Sequence, residues 1–148
     1  MSPKLYRWLR AIKEVEREYG ATQLATQRLL YDSHRDPTIL HGELAVRDVG
    51  HAAERLEGTY LIRLFAKFEG GLRLFWSVSL ETYPPMRDLL DGVTAMRRIP
   101  HEYLKQAYRV REYRNSLVHE PTGDAGSISI AEARGHLCRY FAFLPPNW

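Results

Sequence analysis

The chain has 148 residues, 45% of them hydrophobic, with a formal net charge of +3 and a sequence pI near 9.1. That length can bury a core without metal or disulfide staples. No apolar run approaches the roughly 20 residues a membrane span needs, and Cys138, alone in the sequence, excludes an internal disulfide and a cysteine-rich zinc site. The expectation is a single cytoplasmic domain over residues 1–148, with no membrane partner. The acids scattered through MSPKLYRWLRAIKEVERE argue against a signal peptide. The charge bias is mild, but its make-up is not: 17 arginines stand against 4 lysines. Arginine grips phosphate bidentately and stacks on bases, which tilts the chain toward nucleic acid. An arginine-rich genome would leave the same mark.

Helix signals run from end to end. Ser2-Pro3 is a good opening, a cap followed by proline at the first helical position. Leu5, Trp8, Leu9, Ile12, Val15 and Tyr19 follow a helical stripe, and Gly20 is the expected stop. ATQLATQRLLY then reads as a second, short helix before Asp36-Pro37, a turn or a new start. From Glu43 to about Ser79 the pattern is one long helix, with Gly58 as a point where it could bend. Its broad apolar face, including Leu61, Leu64, Phe65, Phe68 and Leu72, suits the centre of a bundle. Gly70-Gly71 lowers helix propensity, which a close helix crossing or a bend would explain. TYPP, residues 82–85, breaks the chain and restarts it. A helix through Met86, Leu89, Leu90, Val93 and Met96 follows. Pro100 opens another that runs to Pro121, and PTGDAGS is a loop of turn formers. Ser129 with Glu132 forms a capping box for the last helix, which Pro145-Pro146 ends. The fold class expected is an all-α bundle of four or five main helices.

The helix after Pro100 carries the stretch REYRNSLVHEP. Tyr103, Ala107, Val110 and Leu117 form its apolar stripe, and Arg114 falls on that stripe, four residues after Val110 and three before Leu117. A guanidinium there costs desolvation unless it meets a partner, a substrate or a second subunit. Asn115 and His119, four apart, share a face. On a continuing helix His119 would lie about 140° around from Arg114, within reach of a long arginine arm converging on one phosphate. Histidine can take a proton from a ribose 2′-hydroxyl or give one to a leaving oxygen. Arginine can hold the phosphate, and asparagine can orient either group. Such a set could cut RNA without metal, and a two-fold dimer would supply both a base and an acid. The alternative is plain structure: His119 ending the helix, and Arg114 snorkelling or paired with a carboxylate.

Arg114-Asn-Ser-Leu-Val-His119 resembles the R-x4-6-H signature of the HEPN superfamily (higher eukaryotes and prokaryotes nucleotide-binding). The likeness spans about residues 43–145, taking in YLIRLFAKFEGGLRLFW upstream and the final helix ending in RYFAFLP. The resemblance implies a HEPN-like bundle and a metal-independent endoribonuclease, with an active site at the seam of a homodimer. Proteins of this kind serve in toxin–antitoxin, phage-defence or RNA-processing systems, so RNA and an antitoxin or neighbouring-gene protein are implied partners. It makes Arg114 and His119 catalytic and Asn115 a tuning residue. Glu69 is similar to an acidic residue of the family's central helix, which would pair with Arg114, His119 or Arg73. Pro121 stands where one subgroup has a modifiable tyrosine, which argues against that regulation. The other expectation is a non-catalytic HEPN-like bundle that binds RNA, nucleotide or a partner protein.

Arg111 and Arg109 are the expected RNA-binding residues, with Arg97-Arg98 a further candidate. Tyr108, Tyr113 and Tyr140 could stack on bases, or simply pack. His101-Glu102 begins the H-E-x-x-H zinc motif but meets Lys105 where histidine is required. No metal site and no cofactor is expected. Cys138 lies in an apolar helix and is read as packed.

Overall fold

In the computed structural model, residues 4–119 and 126–148 are described. Ser2-Pro3, Pro121 and most of the PTGDAGS loop lie outside them. The chain is an all-helical bundle: α1 (Lys4–Arg35), a short 3-10 turn (Pro37–Leu40), α2 (Val46–Ser79), α3 (Met86–Arg97), α4 (His101–Val118) and α5 (Ile130–Phe141), with no strand among the described residues. Among the same residues no helix is long and apolar enough to cross a membrane.

The expected break at Gly20 does not occur. α1 runs unbroken for 32 residues because both sides of Gly20 are tied to α2. The Tyr19 hydroxyl donates to Glu57 at 2.9 Å, and the Thr22 and Tyr60 hydroxyls share a hydrogen bond of 2.8 Å. These tertiary anchors outweigh the roughly 1 kcal/mol that an exposed glycine costs a helix interior. Asp36 caps the 3-10 turn through the Thr38 amide, and His41 and Gly42 then take positive φ to reverse the chain. α1 and α2 form a long antiparallel pair. Only one half of that pair enters the main core, with Ile12, Val15 and Tyr19 from α1 and Leu61 to Phe75 from α2.

The proline breaks act where the sequence puts them, Pro85 preceding α3 and Pro100 preceding α4. Between the two, α3 ends on Arg98 in the left-handed conformation. The Ser129–Glu132 capping box starts α5. Phe68 sits at the centre of the core, edge-on to Tyr140 at 5.7 Å and tilted against Phe65 at 5.7 Å. Close crossing, one of the two explanations for Gly70-Gly71, is what the packing uses. A Cβ on Gly71 would lie 2.5 Å from the Phe141 ring and 3.0 Å from Trp8. α2 is likewise unbroken at Gly58, where a Cβ would lie 3.3 Å from Leu117. That glycine lets the end of α4 approach α2.

Candidate active site

α4 presents its core stripe to α2. Ala107 and Val110 are fully buried, and one turn later the stripe position is Arg114. Its guanidinium lies over the Phe65 ring at 5.8 Å from the centroid, and one terminal nitrogen donates to Asn115 Oδ1 at 3.0 Å. Nε is buried with no hydrogen-bond partner. Among the described residues Arg114 enters no ion pair. The side chain is thus held on an aromatic platform and steered by its neighbour, with most of its five donors unused among the described residues. Asn115 lies 100° further round the helix than Arg114, and its Oδ1 holds one end of the guanidinium.

His119 is placed differently from the expectation of a continuing helix. α4 ends at Val118, and His119 is its C-cap residue in extended conformation, φ −111° and ψ 158°. Its amide still donates to the Asn115 carbonyl at 2.9 Å, while the residue as a whole is exposed. The 140° helical offset therefore does not describe His119, whose backbone has already left the helix. Leu117 and Val118, 37% and 47% exposed, form an apolar shoulder next to it.

Of the three partners open to Glu69, the structure uses Arg73. Glu69 is ion-paired with Arg73 on its own helix at 2.7 Å and joins neither Arg114 nor His119. Arg73 also donates to the Pro84 carbonyl at 3.0 Å and lies over the Tyr83 ring at 4.2 Å. Glu69 thus belongs to a bracket that holds the 82–85 turn against α2. Arg97 is spent on the Phe143 carbonyl at 3.0 Å and does not approach the end of α4. Arg109 and Arg111 line a groove between α3 and α4. Of the three tyrosines, Tyr140 is fully buried and donates to the Leu90 carbonyl at 3.0 Å, so it cannot stack on a base. Burial drives its hydroxyl pKa upward. The Cys138 thiol is also pushed up, chiefly by burial, which keeps it protonated and unreactive.

Several site residues are absent from the sequence reading. Phe65 was legible as core but not as a seat for a guanidinium. Glu57 was overlooked: besides Tyr19, its carboxylate accepts the Ile130 amide at 3.2 Å. It thereby sits at the N-terminus of α5, where a negative charge is favoured. Glu57, Gly58, Leu61 and Phe65 lie along one side of α2, and together they fix where α4 ends and α5 begins. The glycine inside a long helix was the one local signal pointing to that stretch. His136, on α5, is held below the usual imidazole range by burial and then by Arg139 and Arg109. Its Nδ1 lies 3.2 Å from an Arg139 nitrogen, which makes Nδ1 the acceptor. Among the described residues no three His, Cys, Asp or Glu side chains gather to hold a metal. No protein-family model, curated protein or solved structure matches this chain.

Proposed function

We infer that the protein is a metal-independent endoribonuclease of HEPN type, working through Arg114, Asn115 and His119. The observation that carries this reading is Arg114 itself. A partly buried guanidinium, seated on Phe65, oriented by Asn115 and free of any described carboxylate partner, is suited to an anion from outside. In the reaction the ribose 2′-oxygen attacks its own phosphorus and loses its proton to one imidazole. The bond from phosphorus to the 5′-oxygen breaks, and that oxygen takes a proton from a second acid. The products are a 2′,3′-cyclic phosphate and a 5′-hydroxyl. Arg114 offsets the charge that builds on the phosphoryl oxygens. Asn115 orients the guanidinium through its Oδ1.

One chain supplies one such histidine, so the second comes from a second copy. The exposed apolar shoulder of Leu117 and Val118 beside the site supports a two-fold seam there. A role in toxin–antitoxin or phage-defence systems, with an antitoxin as partner, belongs to the same reading. The test is incubation of the purified protein with mixed RNA in EDTA, with end-group analysis of the fragments. Cyclic-phosphate ends that disappear in His119→Ala support it. Fragments of equal yield from wild type and His119→Ala would sink it.

A second reading, a non-catalytic bundle that binds RNA, nucleotide or protein, draws on the exposure of His119 at a helix end. RNA left intact across pH and salt while still being bound would favour that reading.

A further inference from the structure

Beside the site runs a groove of about 830 Å³ between α3 and α4. Four cations line it, Arg87 from α3 and Lys105, Arg109 and Arg111 from α4, against the two acids Asp91 and Glu112. None of the four is ion-paired among the described residues. Asp91 is already engaged: its carboxylate accepts the Tyr108 hydroxyl at 2.6 Å, and the same hydroxyl reaches the Arg87 carbonyl at 3.1 Å. Burial and Asp91 push the Tyr108 pKa up to about 12, so this strut keeps its proton at any physiological pH. It ties α3 to α4 along the floor and withdraws one of the two acids from competition for the cations.

The groove also has a direction. Lys105, Tyr108, Glu112 and Asn115 follow one another at spacings of three, four and three on α4, a single stripe rising about 15 Å at 1.5 Å per residue. Arg111 lies one turn before Asn115, the residue that orients Arg114. The four cations lie along one furrow between two helices, a single run of positive charge that suits one sugar–phosphate backbone.

We propose that the α3–α4 groove binds the backbone of a single-stranded nucleic acid and leads it to the Arg114–His119 end of α4. Arg87, Lys105, Arg109 and Arg111 hold the phosphates. Tyr108 and Asp91 hold the two walls together. The direction of the strand rests on the nuclease reading above, whereas binding in the groove rests on the groove alone. A single strand is also the form whose ribose can swing its 2′-oxygen behind the phosphorus, and whose bases are unstacked.

The test measures binding without cleavage. The probe is a fluorescent single-stranded deoxyoligonucleotide of about twelve residues, a length typical for single-strand grooves. It lacks the 2′-hydroxyl and is immune to the proposed chemistry. Anisotropy is read at several salt concentrations, with circular dichroism confirming that each variant is folded. Wild type should bind, and Lys105→Ala combined with Arg109→Ala should lower the salt slope by about 1.4, at about 0.7 per lost phosphate contact. Lys105→Glu with Arg109→Glu should weaken binding on the order of tenfold or more at low salt. The control is a second basic furrow on α1, lined by Arg7, Lys13 and Arg17 among others. Arg7→Glu with Arg17→Glu changes net charge equally and should leave affinity within about twofold. Equal losses from the two faces, or no binding by wild type at low salt, would overturn the groove. Binding that follows the groove while RNA stays uncut would keep this proposal and remove the nuclease one.

Discussion

Replacing Arg114 by methionine separates what the residue does for folding from what it does for an anion. Methionine keeps the length and the apolar stem and removes the guanidinium. The folded state would lose the stack on Phe65 at 5.8 Å, worth about 0.5–2 kcal/mol, and the hydrogen bond to Asn115, worth about 0.5–1.5 kcal/mol. It would also be relieved of a buried, unpartnered Nε, a cost of about 1–3 kcal/mol. These contributions cancel to within about 1 kcal/mol, so urea unfolding should find Arg114→Met about as stable as wild type. Cleavage should fall by about 10²–10³, the usual loss when one donor to a developing oxyanion is removed. Arg114→Lys should recover part of the charge but not the fork that reaches two oxygens. An Arg114→Met protein destabilised by more than about 3 kcal/mol would mean that Arg114 is a structural residue. A stable variant cutting RNA at the parental rate would remove it from the chemistry.

Two glycine substitutions should move stability in opposite directions. Gly20→Ala, with nothing within 4 Å of the new methyl, should stabilise by about 0.8–1 kcal/mol through helix propensity. Gly71→Ala, whose methyl would sit 2.5 Å from Phe141, should destabilise by about 1–3 kcal/mol. Both are read as shifts in the urea midpoint at unchanged slope. Glu57→Ala removes the acceptor of both Tyr19 and the Ile130 amide and should cost about 1–3 kcal/mol, with loss of helical signal on heating at a lower temperature. Stability should also rise with pH through the histidine range. The unfolded His136 binds a proton more readily than the folded one, whose pKa is depressed. Stability is therefore full above about pH 6.5 and declines as pH falls toward the folded value. Urea midpoints at about pH 5 and pH 8 should differ less in His136→Gln than in wild type.

Local signals written within a turn or two of the chain were enough for the helical class and most of the boundaries. Pro85 and Pro100 cannot continue a helix from the residues before them. Ser129 and Glu132 satisfy each other's amides at the start of α5, and the position of Arg114 on the stripe of Ala107 and Val110 follows from helical spacing alone. Gly20 shows where that logic stops. Its propensity says stop, but Tyr19 and Thr22 are bonded to residues 38 positions away, and no local pattern encodes that. At His119 the expectation differed only in the boundary: α4 ends at Val118, short of Pro121.

The sequence by itself determined that this chain folds into helices, where the prolines part them, and that one of them carries an arginine on its buried stripe. Tertiary packing alone decided that Phe65 would seat the guanidinium, and that Arg87 would face the cations of α4 across a groove. The reason is range. Caps, prolines and helical periods act over a few residues, whereas the partner of a long charged side chain is chosen by which distant helix the core brings alongside it.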